Sequence, residues 1–450
     1  MTTCTPRAAW VNLLRRLHFY IGLFIGPFIF IAALTGTLYV ATPQLESWLY
    51  RDALTGETQG PHASLSAQIA VAKQLTGGHL SLMAVRPAAV VGETTRVMFT
   101  DPQLGESENR AIFVDPVTLQ IKGDMTVYGT SGILPLRQWI DYAHRSLLLG
   151  NFGRIYSELA ASWMWVAALG GVALWFVTRP KRRLNNRLQK TRRLHAGTGW
   201  VLLAGMLLFS ATGLTWSQWA GANVDKMRAA FGWLTPQVNT LLNGEAEAHD
   251  PHAEHAMQHQ TMTMLKMQSD LRQFDNVLHV ARASGIGADR VEIRPPREHG
   301  RAWTVTEIDR RWPTRVDSVA VDGDSLKTVD SARFADFPLM AKLTRWGVDF
   351  HMGVLFGLLN QLLLIAFGIA LCAAIAFGYR LWWLRRPQGP LVSPAATLSE
   401  AWRNLPPGGQ ILSLLLAIAS GLALPLMGIS LALMLAFDVM RWRRLRSVEA

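Results

Sequence analysis

Four long apolar runs constrain this chain more than any other feature: Leu17–Ala41, Leu159–Val177, Trp200–Trp216 and Val354–Phe377. A hydrocarbon core of ~30 Å takes about 20 residues of helix to cross. Inside lipid, only helices and closed barrels satisfy every backbone polar group. Runs of this length therefore predict membrane-crossing helices. A fifth apolar stretch, Ile411–Phe437, is interrupted at Pro425. Composition points the same way: 50% of the 450 residues are apolar and 17% charged, too little charge for a soluble chain of this length. A polytopic α-helical membrane protein is expected. The first run exceeds the apolar core of a signal peptide and has no clear small-residue cleavage site, so it is read as a retained helix.

The formal charge of +12 is placed by topology. Arg179, Lys181, Arg182, Arg183, Arg187, Lys190, Arg192 and Arg193 crowd the short loop between the second and third runs. Arg7, Arg15 and Arg16 precede the first run, while Arg380, Arg385 and Arg386 follow the fourth. Basic residues in short loops mark the cytoplasmic side, which predicts a cytoplasmic N-terminus and excludes nucleic acid as the reason for the charge. The two cysteines, Cys4 and Cys372, lie far apart and suggest neither a disulfide framework nor a metal cluster. No C-x-x-C-H is present, which rules out covalent haem attachment.

The sequence also repeats itself. Arg15-Arg16-Leu17-His18 recurs as Arg192-Arg193-Leu194-His195, and Thr35-Gly36 recurs at the same offset of 177 as Thr212-Gly213. At an offset of 207, Trp139, His144 and Gly150 recur as Trp346, His351 and Gly357, and Trp175, Arg179 and Pro180 as Trp382, Arg386 and Pro387. Composition alone does not preserve spacing. Charge placement gives both copies one orientation, so a tandem parallel repeat is expected. Its segments are a first transmembrane helix (1–42), an extracytoplasmic domain (43–143), a second helix (144–180), a basic cytoplasmic loop (181–194), a third helix (195–218), a second extracytoplasmic domain (219–350) with an insertion at 244–268, and a fourth helix (351–387). The tail, 388–450, reads as a hydrophobic hairpin turning at Pro425, which would put Arg441, Arg443, Arg444 and Arg446 inside.

Each extracytoplasmic segment is expected to be α+β. In the first, Ala63–Leu75 reads as an amphipathic helix, and Leu80–Val85, Thr95–Phe99 and Ala111–Val114 as strands before a turn at Asp115-Pro116. In the second, Asp270–Ala283 is helical in pattern, and Arg290–Ile293, Ala302–Thr306 and Arg315–Val321 are strand-like before Asp322-Gly323.

Repetition sorts four histidines by side. His18 and His195 open the helices that leave the cytoplasmic face, while His144 and His351 precede or open those that leave the outer face. His18 and Gly36 are separated by about 27 Å of helix at ~1.5 Å per residue. Ionisable groups within membrane bundles are costly and mark function. Two imidazoles from facing helices can fill both axial positions of a haem iron, whereas zinc or copper usually recruits three or four protein ligands. A four-helix core holding two b-type haems is the expectation. His62, His79, His279 and His299 have no repeat partner and read as surface residues.

These motifs, RRLHFYIGLFIG…TG, HRSLLLGNFG, RRLHAGTGW…TG, HMGVLFGLLNQ and WWLRRP, together resemble the PepSY-associated transmembrane proteins, and Phe113–Gly123 (FVDPVTLQIKG) resembles the PepSY hairpin. The resemblance covers residues 10 to about 440. It implies an inner-membrane location, PepSY-like extracytoplasmic domains, haem b held by His18, His144, His195 and His351, and reduction of siderophore-bound ferric iron. Some relatives add a flavin- and nicotinamide-binding domain. No G-x-G-x-x-G is found here, which leaves a cytoplasmic or a quinol electron donor open, as it does a homodimer.

The insertion brings His249, His252, His255 and His259 together with Met257, Met262, Met264 and Met267. Imidazole with thioether suits copper. A copper-linked redox protein is thus one alternative, and a non-catalytic sensor or chaperone built on the PepSY-like domains is another.

Overall fold

The computed structural model describes residues 5–178, 186–242, 270–385 and 397–449. Five of its helices are long and apolar enough to cross a membrane: α1 (Pro6–Val40), α4 (Gly150–Val177), α5 (Arg187–Thr215), α9 (Gly357–Leu384) and the part of α12 up to Arg444. Other helices are α2 (Leu65–Leu75), α3 (Pro135–Ser146), α6 (Trp219–Ala230), α7 (Arg272–Ala283), α8 (Leu339–His351), α10 (Leu398–Arg403) and α11 (Pro407–Ala423), and α12 in full is Pro425–Glu449. The chain divides into a helical unit (Met1–Val40, Asp141–Met227 and Leu362–Ala450) and a second unit (Ala41–Ile140 and Arg228–Gln361) built around a sheet.

In the sheet unit, alternation of side chains dictates two faces. Val85, Val97, Phe99, Ile112 and Val114 share a core with Ile69 and Ala72 of α2 and with Phe274 and Val277 of α7. The intervening residues Ala84, Met98, Ala111 and Phe113 pack on the opposite face with Ala53 and Leu134. The strands are β1 (Ser81–Arg86), β2 (Thr95–Thr100), β3 (Glu108–Val114), β4 (Ile121–Tyr128), β5 (Val291–Arg294), β6 (Trp303–Glu307), β7 (Ser318–Val321) and β8 (Thr328–Ala332). β1, β2, β3, β5, β6 and β7 overlap the runs that the sequence patterns mark as strands, while β4 and β8 lie beyond the two predicted turns. The sequence suggested two separate α+β domains; the strands instead hydrogen-bond into one antiparallel sheet of order β4-β3-β2-β1-β5-β6-β7-β8. The joint is the pairing of Val85 with Ile293, which closes what would otherwise be two unpaired edges.

An ion triad sits at that joint. Glu292 is buried and accepts from Arg86 Nε at 2.7 Å and from Arg294 Nε at 2.6 Å. Burial pushes its carboxyl up, but the two guanidinium groups outweigh that effect and hold it at about 2.

The hairpin turns β3–β4 and β7–β8 share their closing bonds. Asp115 donates its N–H to Gln120 O, and Asp322 donates its N–H to Lys327 O, both at 2.9 Å. Each aspartate turns a carboxylate oxygen onto the N–H two residues on, of Val117 at 2.9 Å and of Asp324 at 3.0 Å. Leu119 and Leu326 both adopt positive φ, 58° and 53°. Bulges follow suit at Phe113/Val114 and Ala320/Val321.

Two spans start later than the sequence segments did. Leu147 and Leu148 (φ 53° and 60°) break α3 from α4, which opens at Gly150 (φ 58°), so His144 lies on the short helix before the span. Likewise His351 ends α8, and glycines of positive φ at 353 and 357 separate it from α9. The third span begins earlier, at Arg187, which puts His195 inside α5.

The tail breaks at Pro425 into α11 and α12. The two helices meet so closely that a Cβ on Gly428 would stand 2.8 Å from Gly421 Cα. Small residues at such crossings are what packing in lipid requires. Fully buried Asp438 of α12 accepts from the N–H groups of Leu398 (2.8 Å) and Ser399 (2.6 Å), from Ser399 Oγ (2.6 Å) and from the Tyr20 hydroxyl. It ties α10, α12 and α1 together.

Candidate functional site

His18 and His195 come together in the helical unit. Their ring centres lie 6.2 Å apart at an interplanar angle of 66°. Each ring rests on a glycine of the neighbouring span. A Cβ on Gly171 of α4 would stand 3.2 Å from His18 Cε1, and one on Gly378 of α9 would stand 3.3 Å from His195 Cε1. A backbone carbonyl faces one ring as well: His195 Nδ1 pairs with Ala374 O at 2.8 Å. His18 Nδ1 is sealed from solvent beside Gly170, with no hydrogen-bond partner. Gly378 follows Gly171 by the same 207 positions that separate His144 from His351. The sequence reading missed these supports, although the spacing it had found would have located them.

His195 Nδ1 is thus bonded and His18 Nδ1 enclosed, and Nε2 is the nitrogen left for a ligand. Two imidazoles that share one metal ion through Nε2 have ring centres roughly 6 Å apart. The observed separation fits that spacing. One turn beyond each histidine stand Gly22 and Gly199, and no other atom lies within 4 Å of a Cβ built on either. A flat group held by the pair would find no side chain in its way there.

His144 is placed by different contacts. Its Nδ1 lies 3.1 Å from Thr35 Oγ1, and a Cβ on Gly36 would stand 3.1 Å from its Cε1. The Tyr156 hydroxyl donates to the carbonyls of His144 and of Ala143, the latter at 3.2 Å. Thr35-Gly36 is the motif that recurs as Thr212-Gly213, so this motif seats a histidine at its first occurrence. His351, part-buried at the end of α8, belongs to the sheet unit. Two residues before it, fully buried Asp349 is gripped by Arg310 Nε at 2.6 Å and Arg345 Nε at 3.0 Å. Arg310 also reaches Met352 Sδ at 3.3 Å.

Among the described residues no group of three or more His, Cys, Asp or Glu can hold a metal ion. His249, His252, His255, His259 and Met257 lie outside the described residues. His62, His79, His279 and His299 are exposed.

A family model described as the PepSY-associated TM region matches residues 15–385. No curated protein matches the chain.

Proposed function

Because the chain belongs to the PepSY-associated TM family and is a multi-pass membrane protein, we propose that it is an inner-membrane b-type haem protein that moves electrons across the bilayer and reduces ferric iron, siderophore-bound, outside the cytoplasm. The observation that carries this reading is the His18–His195 pair, with ring centres 6.2 Å apart and each ring resting on a glycine of a neighbouring span.

His18 and His195 would hold one haem through Nε2, and the repeat makes His144 and His351 the candidate ligands for further haem. Bound haem would supply a one-electron iron centre within the bilayer. The chain's own part is orientation. The Ala374 carbonyl on His195 Nδ1 fixes the tautomer, aligns the ring and makes Nε2 a stronger donor. Gly171 and Gly378 let α4 and α9 approach the two rings closely. Two pairs fit the repeat, in which matching motifs carry the matching histidines. The basic residues Arg15, Arg16, Arg192 and Arg193 beside the first pair favour the cytoplasmic side for it. The substrate would be the ferric ion, whose reduced form siderophore oxygens hold far more weakly.

Haem quantified per chain, with a reduced-minus-oxidised spectrum, tests the reading. Two b-type haems are expected, His18→Ala should lower the content by about one, and reduction of a ferric siderophore by vesicles should fall at least about tenfold. A chain purified from haem-replete cells without haem absorbance would end the proposal.

A further inference from the structure

The first span contains one irregular turn, and it lies three residues after His18. From Ile21 to Ile25 the backbone is π-helical, with the Gly26 N–H bonded to Ile21 O, five residues back. The residue after Gly26 explains the turn. Proline has no N–H, and its ring clashes with the carbonyl four residues earlier. Pro27 therefore cannot follow Leu23 in a regular helix, and widening the turn relieves the clash. The widening leaves a debt: in the five-residue pattern the donor for Gly22 O would be the nitrogen of Pro27, which has no hydrogen. A bare carbonyl is costly in a medium without water. Tyr379 of α9 supplies the donor, its hydroxyl lying 3.0 Å from Gly22 O and 3.4 Å from Leu23 O.

Tyr379 adjoins Gly378, the residue beneath the His195 ring. One turn of α9 thus touches His195 and also holds the helix that carries His18. The second half has no such device. At the offset of 177, Pro27 becomes Ala204 and Gly22 becomes Gly199, and α5 is regular throughout. At the offset of 207, Tyr379 answers to Val172. Each helical residue adds about 100° of rotation, so one extra residue in a turn re-aims everything on its far side, His18 included.

We propose that Tyr379 is a positioning residue for His18: its hydroxyl replaces the backbone donor that Pro27 withholds, and so fixes the π turn that sets how His18 faces His195. This deepens the haem reading and rests on it for the spectroscopic half of its test.

The test uses the full chain in nanodiscs. In Tyr379→Phe, amide exchange across residues 18–30 should quicken by about tenfold, and one of two low-spin haem signals in electron paramagnetic resonance should shift, because that signal reports the relative angle of the axial imidazoles. Adding Pro27→Ala gives the missing N–H back to the backbone, so the double variant should return to slow exchange. Lower thermal stability with exchange and both signals unchanged would overturn the proposal, as would a double variant that exchanges as fast as Tyr379→Phe. Should Tyr379→Phe fail to accumulate, the double variant must accumulate, and its failure would equally overturn it. If the wild-type chain holds no haem, the functional proposal falls, while exchange across 18–30 still decides whether Tyr379 secures the turn.

Discussion

The hairpin turns at Asp115 and Asp322 are the same turn, whereas the spans that follow His18 and His195 are not the same helix. Both hairpins are closed by local chemistry: an aspartate reaching its own backbone two residues on, and a leucine in the left-handed region. These bonds are made within the turn, so separation by 207 positions leaves them unchanged, although Asp115 also accepts the Glu57 N–H. The spans answer to neighbours. α1 has a π turn before Pro27, is held by Tyr379 and is tied through Tyr20 to Asp438, while Gly197 stands at the matching place on α5 and can make no such bond. Duplicated sequence therefore reproduces structure where short-range interactions decide it, and diverges where the copies differ at a proline or where further elements, here Tyr379 of α9 and the C-terminal hairpin, are packed against one copy.

Removing the asymmetric tie should have the largest effect. Asp438→Ala strips the acceptor from four donors in a setting without water, and a loss of about 3–5 kcal/mol is expected. Thermal unfolding of the detergent-solubilised protein measures it. If Asp438→Ala costs no more than an exposed substitution, the hairpin does not hold α1, and the contrast between the spans needs another cause.

The joint of the sheet comes next. Glu292→Gln leaves Arg86 and Arg294 facing a neutral amide, for an expected loss of about 2–4 kcal/mol. The pH dependence follows from linkage. The folded carboxyl is held at about 2, below its ordinary 4.5, so its contribution is complete above pH ~4.5 and is lost as pH falls toward 2. The unfolding midpoint of the wild type should drop through that window more steeply than that of Glu292→Gln. Parallel curves would mean the triad does not join the halves.

The smallest effect sharpens the identity of the hairpins. Asp322→Ala should cost about 1 kcal/mol and Asp115→Ala more, because Asp115 also accepts the Glu57 N–H at 2.9 Å. Equal losses would show that the turn alone, not the Glu57 contact, supports each hairpin.

Much of this architecture was legible in the sequence because its causes are short-ranged or periodic. Run length announced the spans, period-two alternation with Asp-Pro and Asp-Gly announced the strands, and Pro425 announced the break in the tail. The pairing of His18 with His195 was legible in a different way, through motif spacing. The rest depended on partners far along the chain. Nothing local distinguishes β1 and β5 as the strands that meet, since any two exposed edges of suitable pattern can pair. Asp438 reads as an awkward charge in an apolar run until α10 and Tyr20 surround it.

The sequence alone determined that the chain spans a membrane, that its motifs come twice and that four histidines fall near the ends of the spans, because hydrophobic length, proline and turn chemistry act over a few residues. Tertiary structure decided that the two α+β segments share one sheet, that glycines of α4 and α9 and the Ala374 carbonyl seat the His18–His195 pair, and that one span carries a π turn braced by Tyr379. Those outcomes require donors and acceptors from elements up to hundreds of residues apart to meet at hydrogen-bonding distance, and only packing brings them there.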